Sequence, residues 1–150
     1  MNTWQNTWIY KSKAVHSLED FPEPDKVVGF VYKITNVITG KFYIGKKSLF
    51  HSKKTRISKR EKTATKTRKT FKKVVKESDW SDYYGSCKEL HEDIKLRGKQ
   101  YFTREILTMC YSKKFLNFHE LEQQIVHQVL RADTYNGNIL GRYYRKDMKN

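Results

Sequence analysis

Two cysteines, Cys87 and Cys110, are all the thiols in this chain, and neither sits in a CxxC or near a His-x-x-x-His. That excludes a disulfide framework and a zinc finger, and free thiols in a reducing compartment are expected. No run approaches the roughly eighteen apolar residues of a membrane helix, and Met1 to Asp20 lacks the apolar stretch of a signal peptide. A soluble, cytoplasmic protein that is not secreted is therefore expected. A Walker loop, a GxGxxG and an HExxH are absent, and Ser, His and Asp form no local triad. Proline occurs only at Pro22 and Pro24, and neither Gly nor Pro appears between Gly45 and Gly85. Leu, Ile and Val are not abundant, so the aromatics, 14% of the chain, carry much of the burial.

What is plentiful is positive charge. The 150 residues, the size of one domain, hold 31 Lys+Arg against 16 Asp+Glu, a net +15. From Lys46 to Lys76 there are fourteen basic residues and one acid, Glu61, a local +13 that leaves only +2 for the rest. Such a field attracts a polyanion, nucleic acid first, and the interspersed Ser and Thr can hydrogen-bond phosphates. The plainer reading is a solvated basic loop.

Residues 1–26 read as an N-terminal arm whose Trp4, Trp8, Tyr10 and Phe21 pack on the domain, with a boundary near Pro24. Residues 27–140 read as the domain, with a basic insertion at 46–76, and 141–150 as a basic tail. Val27–Asn36 and Lys41–Lys46 are two strands joined by a turn carrying Asn36 and Gly40, a β-hairpin on which Tyr32 and Tyr43 share a face if the register allows. Ser48–Thr65 lacks an apolar stripe and is expected to become ordered on a ligand, whereas Phe71, Val74 and Val75 at i, i+3 and i+4 predict a basic helix ending near Lys76. Ser86 and Glu89 have capping-box spacing and open a helix that Gly98 stops. Tyr101–Cys110 has the composition of a central strand. Asn117 with Glu120 repeats the cap signature before a helix from Phe118 to about Leu130, with Leu121, Ile125 and Val129 on one face.

Val31-Tyr32 followed by Tyr43-Ile44-Gly45 resembles the paired motif of the GIY-YIG endonucleases. The order hairpin, basic segment, helix, strand, glutamate-bearing helix and asparagine fits as well. Asp82-Tyr83-Tyr84-Gly85-Ser86 onward to Glu105-Ile106-Leu107 is similar to phage-encoded members, many of them homing or free-standing nucleases. The resemblance spans about 27 to 140 and implies an α/β (α+β) fold with a small three-stranded antiparallel sheet flanked by helices. The first motif departs from the family in reading Phe30-Val31-Tyr32, with Gly29 one place early.

The resemblance implies that Tyr32 and Tyr43 line the active site, one acting as general base or orienting the attacking water, with Gly45 letting the chain pass close to them. The alternative is two strand tyrosines packing a core. The family's arginine on the helix after the second motif has no clean match; Arg56 is the candidate, with Lys47 behind it. Glu120 is preferred over Glu122 as the metal-binding acid, since Glu120-Leu121 with Gln124-Ile125 fits the phage pattern, although Glu120 could be purely a capping residue. Asn136 resembles the asparagine that closes the site. Lys46, Lys53, Lys54, Arg60, Lys66, Arg68, Lys69, Lys72 and Lys73 are expected to bind backbone phosphate, and a lone His51 is read as an inert loop histidine, the alternative being a proton carrier.

Two functions follow. One is an endonuclease using Mg²⁺, or another divalent cation such as Mn²⁺, on double-stranded DNA, as a homodimer or as a monomer cutting strands in turn. It would work in the bacterial cytoplasm if phage-encoded. The other is a non-catalytic nucleic-acid-binding protein using the same basic segment.

Overall fold

A computed structural model describes residues 6–149. Trp4 of the expected arm lies outside them. β1 (Trp8–Tyr10) and β2 (Lys13–Val15) form a tight hairpin, and β3 (Gly29–Asn36) and β4 (Phe42–Ser48) form a second. The turn of this second hairpin is organised by Asn36, whose Oδ1 accepts the Ile38 N–H at 3.0 Å while its carbonyl accepts the Gly40 N–H at 2.8 Å. Gly40 has φ +78°, the left-handed conformation that a β-carbon disfavours.

The main sheet has the order β2-β1-β7-β3-β4, with β7 (Phe102–Cys110) at its centre as its composition predicts. The expected antiparallel trio is β7-β3-β4, and it is extended by β1, which runs parallel to β7, and by β2. Part of the N-terminal segment is thus sheet as well as aromatic packing. The observed sheet is larger than the expected one because three-residue strands carry too little alternation to be read locally.

Each face of the sheet has its own core. On one, Trp8, Phe30, Tyr32, Ile34 and Trp80 pack with Leu90 and Ile94 of α2 (Lys88–Arg97). On the other, Val31, Ile44 and Cys110 pack with Leu116 of α3 (Lys113–Val126) and Val129 beyond it. A bulge in β7, where Val31 faces Thr108 and Tyr32 faces Ile106, inserts one residue. The extra residue resets the alternation, so Ile106 and Met109 both face the first core.

Three expected elements are corrected. Residues 71–76 are strand, not helix: β5 (Phe50–Arg56) pairs antiparallel with β6 (Phe71–Glu77) in a separate two-stranded ribbon. Val74 and Val75 are β-branched, and the apolar positions of 71–75 are largely exposed, so nothing packs on the supposed helical stripe. The segment expected to be unstructured is likewise β5 followed by the short α1 (Lys59–Thr65), whose cap Ser58 accepts the Glu61 N–H at 3.2 Å. Third, α3 starts at the Ser112 cap, which accepts the Phe115 N–H at 3.1 Å, so Asn117 lies inside the helix. α2 opens from Cys87 rather than Ser86 and ends at Gly98 as expected. No helix among the described residues is long and apolar enough to cross a membrane.

Candidate active site at the edge of β4

In the β3–β4 register Tyr32 stands opposite Gly45 and Ile34 opposite Tyr43. Directly paired residues share a face, as do residues two apart on a strand, so Tyr32, Gly45 and Tyr43 all face the first core. The two tyrosine rings lie 6.2 Å apart between centroids. A β-carbon at Gly45 would stand 2.6 Å from the Tyr32 hydroxyl oxygen and 3.0 Å from Cε1 of Tyr43. Only glycine lets the Tyr32 phenol lie across the strand in this way.

Tyr32 is 1% exposed, packed edge-on against Trp8, Phe30 and Tyr83, and burial pushes its hydroxyl well above the ordinary phenol range. The Tyr43, Tyr83 and Glu120 side chains push the same way. Tyr43 is half-buried and raised by burial too, partly offset by Ser86, whose Oγ lies 3.4 Å from its hydroxyl. Ser86 therefore faces Tyr43, and Cys87 takes the cap position without a side-chain cap hydrogen bond.

Because β4 is the edge strand, the site reaches around it from both faces. α3 covers the second core with a row at i, i+4 and i+8: Leu116, Glu120 and Gln124. This is the inward row; Ile125, expected to be buried, is 57% exposed. Burial raises the Glu120 carboxyl above the usual carboxylate range, opposed by Lys46, whose Nζ lies 3.8 Å from Glu120 Oε1. Lys46 also donates to Asn117 Oδ1. Two side chains of α3 thus gather oxygens around one cation. Glu122 turns away and lies 3.2 Å from Nδ1 of His119.

The outer edge of β4 is closed by side chains in place of a further strand. Asn136, buried, accepts the Ile44 N–H at 3.0 Å on Oδ1 and donates to the Ile44 carbonyl at 2.9 Å. Gln124 Nε2 donates to the same carbonyl at 3.2 Å, and the Tyr135 N–H reaches the Phe42 carbonyl at 2.8 Å. Asn136 so mimics a strand partner at the residue between Tyr43 and Gly45.

Lys47 shares the tyrosine face. Its Nζ stands 3.9 Å over the Tyr83 ring and donates to Asp79 Oδ1 at 2.6 Å, which holds the Asp79 carboxyl below its ordinary range. Arg56 is not brought to the tyrosines, because it lies at the far end of β5, six residues and roughly 20 Å of strand from Phe50. Lys53, Lys54, Lys72 and Lys73 line the ribbon, Arg60 lies on α1, Lys66 caps it with φ +53°, and Arg68 and Lys69 lie between α1 and β6. His51 is exposed on β5.

Two arginines that sequence reasoning missed brace this site. Arg104, 2% exposed, donates to the carbonyls of Asn6, Ser81 and Tyr83 and stacks on Trp8 and Tyr84, which fixes the loop carrying Tyr83. Its alternation with Phe102 and Ile106 was the available signal. Arg145 donates to the Ala132 carbonyl at 2.8 Å and the Asn136 carbonyl at 3.1 Å, and also to that of Val129, tying down the segment that carries Asn136. Nothing in its polar surroundings announces that.

No group of three or more His, Cys, Asp and Glu suited to a metal is present among the described residues. A single carboxylate suits a hydrated Mg²⁺, which keeps most of its waters, and the oxygens of Glu120 and Asn117 are already gathered around a cation.

No curated protein and no solved structure matches the chain significantly. A family model does: the one described as putative endonuclease segE, GIY-YIG domain, matches residues 8–148. That match takes in the first strands, the tyrosine hairpin, the ribbon and the Arg145 region together, and the chain belongs to the GIY-YIG endonuclease family.

Proposed function

We propose that the protein is a divalent-cation-dependent endonuclease of double-stranded DNA, with its reaction centre at the edge of β4. The observation that carries this reading is the stacking of Tyr32 over Gly45 beside Tyr43, on the strand whose Lys46 faces Glu120. Both phenols are shifted toward the neutral form, so they orient water by hydrogen bonding rather than standing as phenolates. Tyr43, with its hydroxyl near Ser86 and only part of its ring covered, is the one that holds the attacking water. Tyr32 sets the position of Tyr43 and Gly45. Lys47 supplies positive charge on the tyrosine face where the oxygens of the pentacoordinate phosphorus collect negative charge, a role for which Arg56 is too distant. Glu120 would hold the Mg²⁺ or Mn²⁺, which when bound would supply Lewis-acid stabilisation of the charge developing on the cleaved phosphodiester. Asn136 is a positioning residue that keeps the strand between Tyr43 and Gly45 in place.

One such site per chain breaks both strands only as a dimer or in two encounters. Supercoiled plasmid is expected to be nicked or linearised with Mg²⁺ and untouched with a chelator. Glu120→Gln is expected to lose cleavage by at least about a hundredfold while binding DNA as before. Intact plasmid at all concentrations of wild-type protein, alongside tight binding, would favour a purely binding role.

A further inference from the structure

The β5–β6 ribbon is unused by the hydrolytic site. From Phe50 to Glu77 it carries twelve Lys and Arg against Glu61 and Glu77, so +10 of the net +15 resides on it. Lys72 pairs with Glu61, and among the described residues the ribbon's other cations form no ion pair. Both faces are open to solvent. One presents Ser52, Lys54 and Arg56 opposite Val75, Lys73 and Phe71. Ser52, Lys54, Phe71 and Lys73 of this face, with Lys69 and Lys72, line an open hollow of about 610 Å³.

The base is rigid. Leu49, fully buried, joins β4 directly to β5, and its carbonyl accepts the Ser78 N–H at 2.8 Å. Ser78 Oγ donates to the Ser48 carbonyl at 2.6 Å, and Trp80 beyond it is buried, with its indole donating to Glu77 at 2.8 Å. The ribbon is therefore an outgrowth of the strand that bears Tyr43, Gly45 and Lys47.

We infer that this ribbon docks in the major groove of a B-form DNA duplex, with Lys54, Arg56 and Lys73 reaching base edges and the remaining cations reaching phosphates. The inference rests on the nuclease reading only for its biological meaning. Two strands about 4.8 Å apart with side chains on both sides fill a groove about 12 Å wide and are too broad for one of about 6 Å. A-form RNA offers only a deep, narrow major groove. Single strands are bound by successive aromatic platforms, and the ribbon exposes one such ring, Phe71. Ser52, Lys54 and Arg56 are spaced two apart, so they lie in a row on one face about 6.7 Å from one to the next, a step of about two base pairs along the groove.

The test uses the uncleaving Glu120→Gln protein saturating a short mixed-sequence duplex, probed with dimethyl sulfate. Guanine N7, in the major groove, is expected to be protected, and adenine N3, in the minor groove, to react as in free DNA. The combined Lys54→Thr, Arg56→Thr, Lys73→Thr variant, whose changes are all at exposed positions, is expected to unfold at the same temperature. It should lose the N7 protection and bind roughly tenfold more weakly or worse. Protection of adenine N3 alone, unprotected N7, undiminished protection in the triple variant, or tighter binding to single strands or duplex RNA would each overturn the inference. Cleavage by the wild type without N7 protection removes the ribbon proposal and leaves the nuclease; N7 protection without any cleavage does the reverse.

Discussion

Gly45 is the residue on which the tyrosine pair turns. A methyl there meets the Tyr32 hydroxyl at 2.6 Å and its Cζ at 2.8 Å, within strand backbone that has little room to move. Gly45→Ala is expected to cost about 1–3 kcal/mol in urea unfolding and about a hundredfold in cleavage, because the phenols must shift by a fraction of an ångström or more. Near wild-type cleavage in that variant would show that the close stacking is not needed. Glu120 makes the opposite bargain with stability. Burial raises its folded carboxyl above the unfolded value, so the folded state holds the proton more tightly and loses stability as pH rises through that window. Glu120→Gln is therefore expected to melt at a higher temperature than wild type at neutral pH without metal. The advantage should shrink as pH falls below the usual 4.5, where both side chains are uncharged. A constant difference across the acid range would contradict that cause.

At the scale of elements, the edge of β4 depends on a segment that has no regular structure of its own, and that segment depends on Arg145. Arg145→Ala strands the carbonyls of Val129, Ala132 and Asn136 together and is expected to cost about 2–4 kcal/mol, read as a lower urea midpoint with an unchanged slope. Arg145→Lys should recover little, since one ammonium cannot span the fan of acceptors that a guanidinium does. Legibility in the sequence follows the range of the interactions. The tyrosine hairpin was readable because Asn36, Gly40 and the flanking apolar residues all act within a dozen positions. α2's stop was readable from Gly98. The ribbon was not, because Phe50 pairs with Glu77 across an intervening helix, and lysines at both inward and outward positions erase the alternation. The stripe expected on α3 holds at Leu121 and Val129, which pack on the second core, and fails at Ile125, because Glu120 and Gln124 are polar residues on the inward row that serve the strand edge. The pair Tyr32 and Tyr43 was legible as a candidate; the bracing by Arg104 and Arg145, made through distant carbonyls, was not.

For the whole molecule, the uneven charge separates a body of +5 from a ribbon of +10. If six to ten of its Lys and Arg engage phosphates, affinity for duplex DNA should fall by about 10³–10⁵ between roughly 50 and 200 mM salt. A shallow dependence in an electrophoretic or anisotropy titration would assign the contact surface to the body instead. The body itself is strongly non-local: Trp8 lies edge-on to Tyr32 at 5.4 Å, while Arg145 fixes the segment that clamps Ile44. A ribosome adding about 5–20 residues per second needs roughly 3–14 s to travel from residue 77, where the ribbon is complete, to residue 145. Throughout that interval the nascent chain already displays its cationic ribbon yet lacks the last brace of its cutting edge. Attraction to nucleic acid thus precedes competence to cut it, and the two are separated by the time of translation.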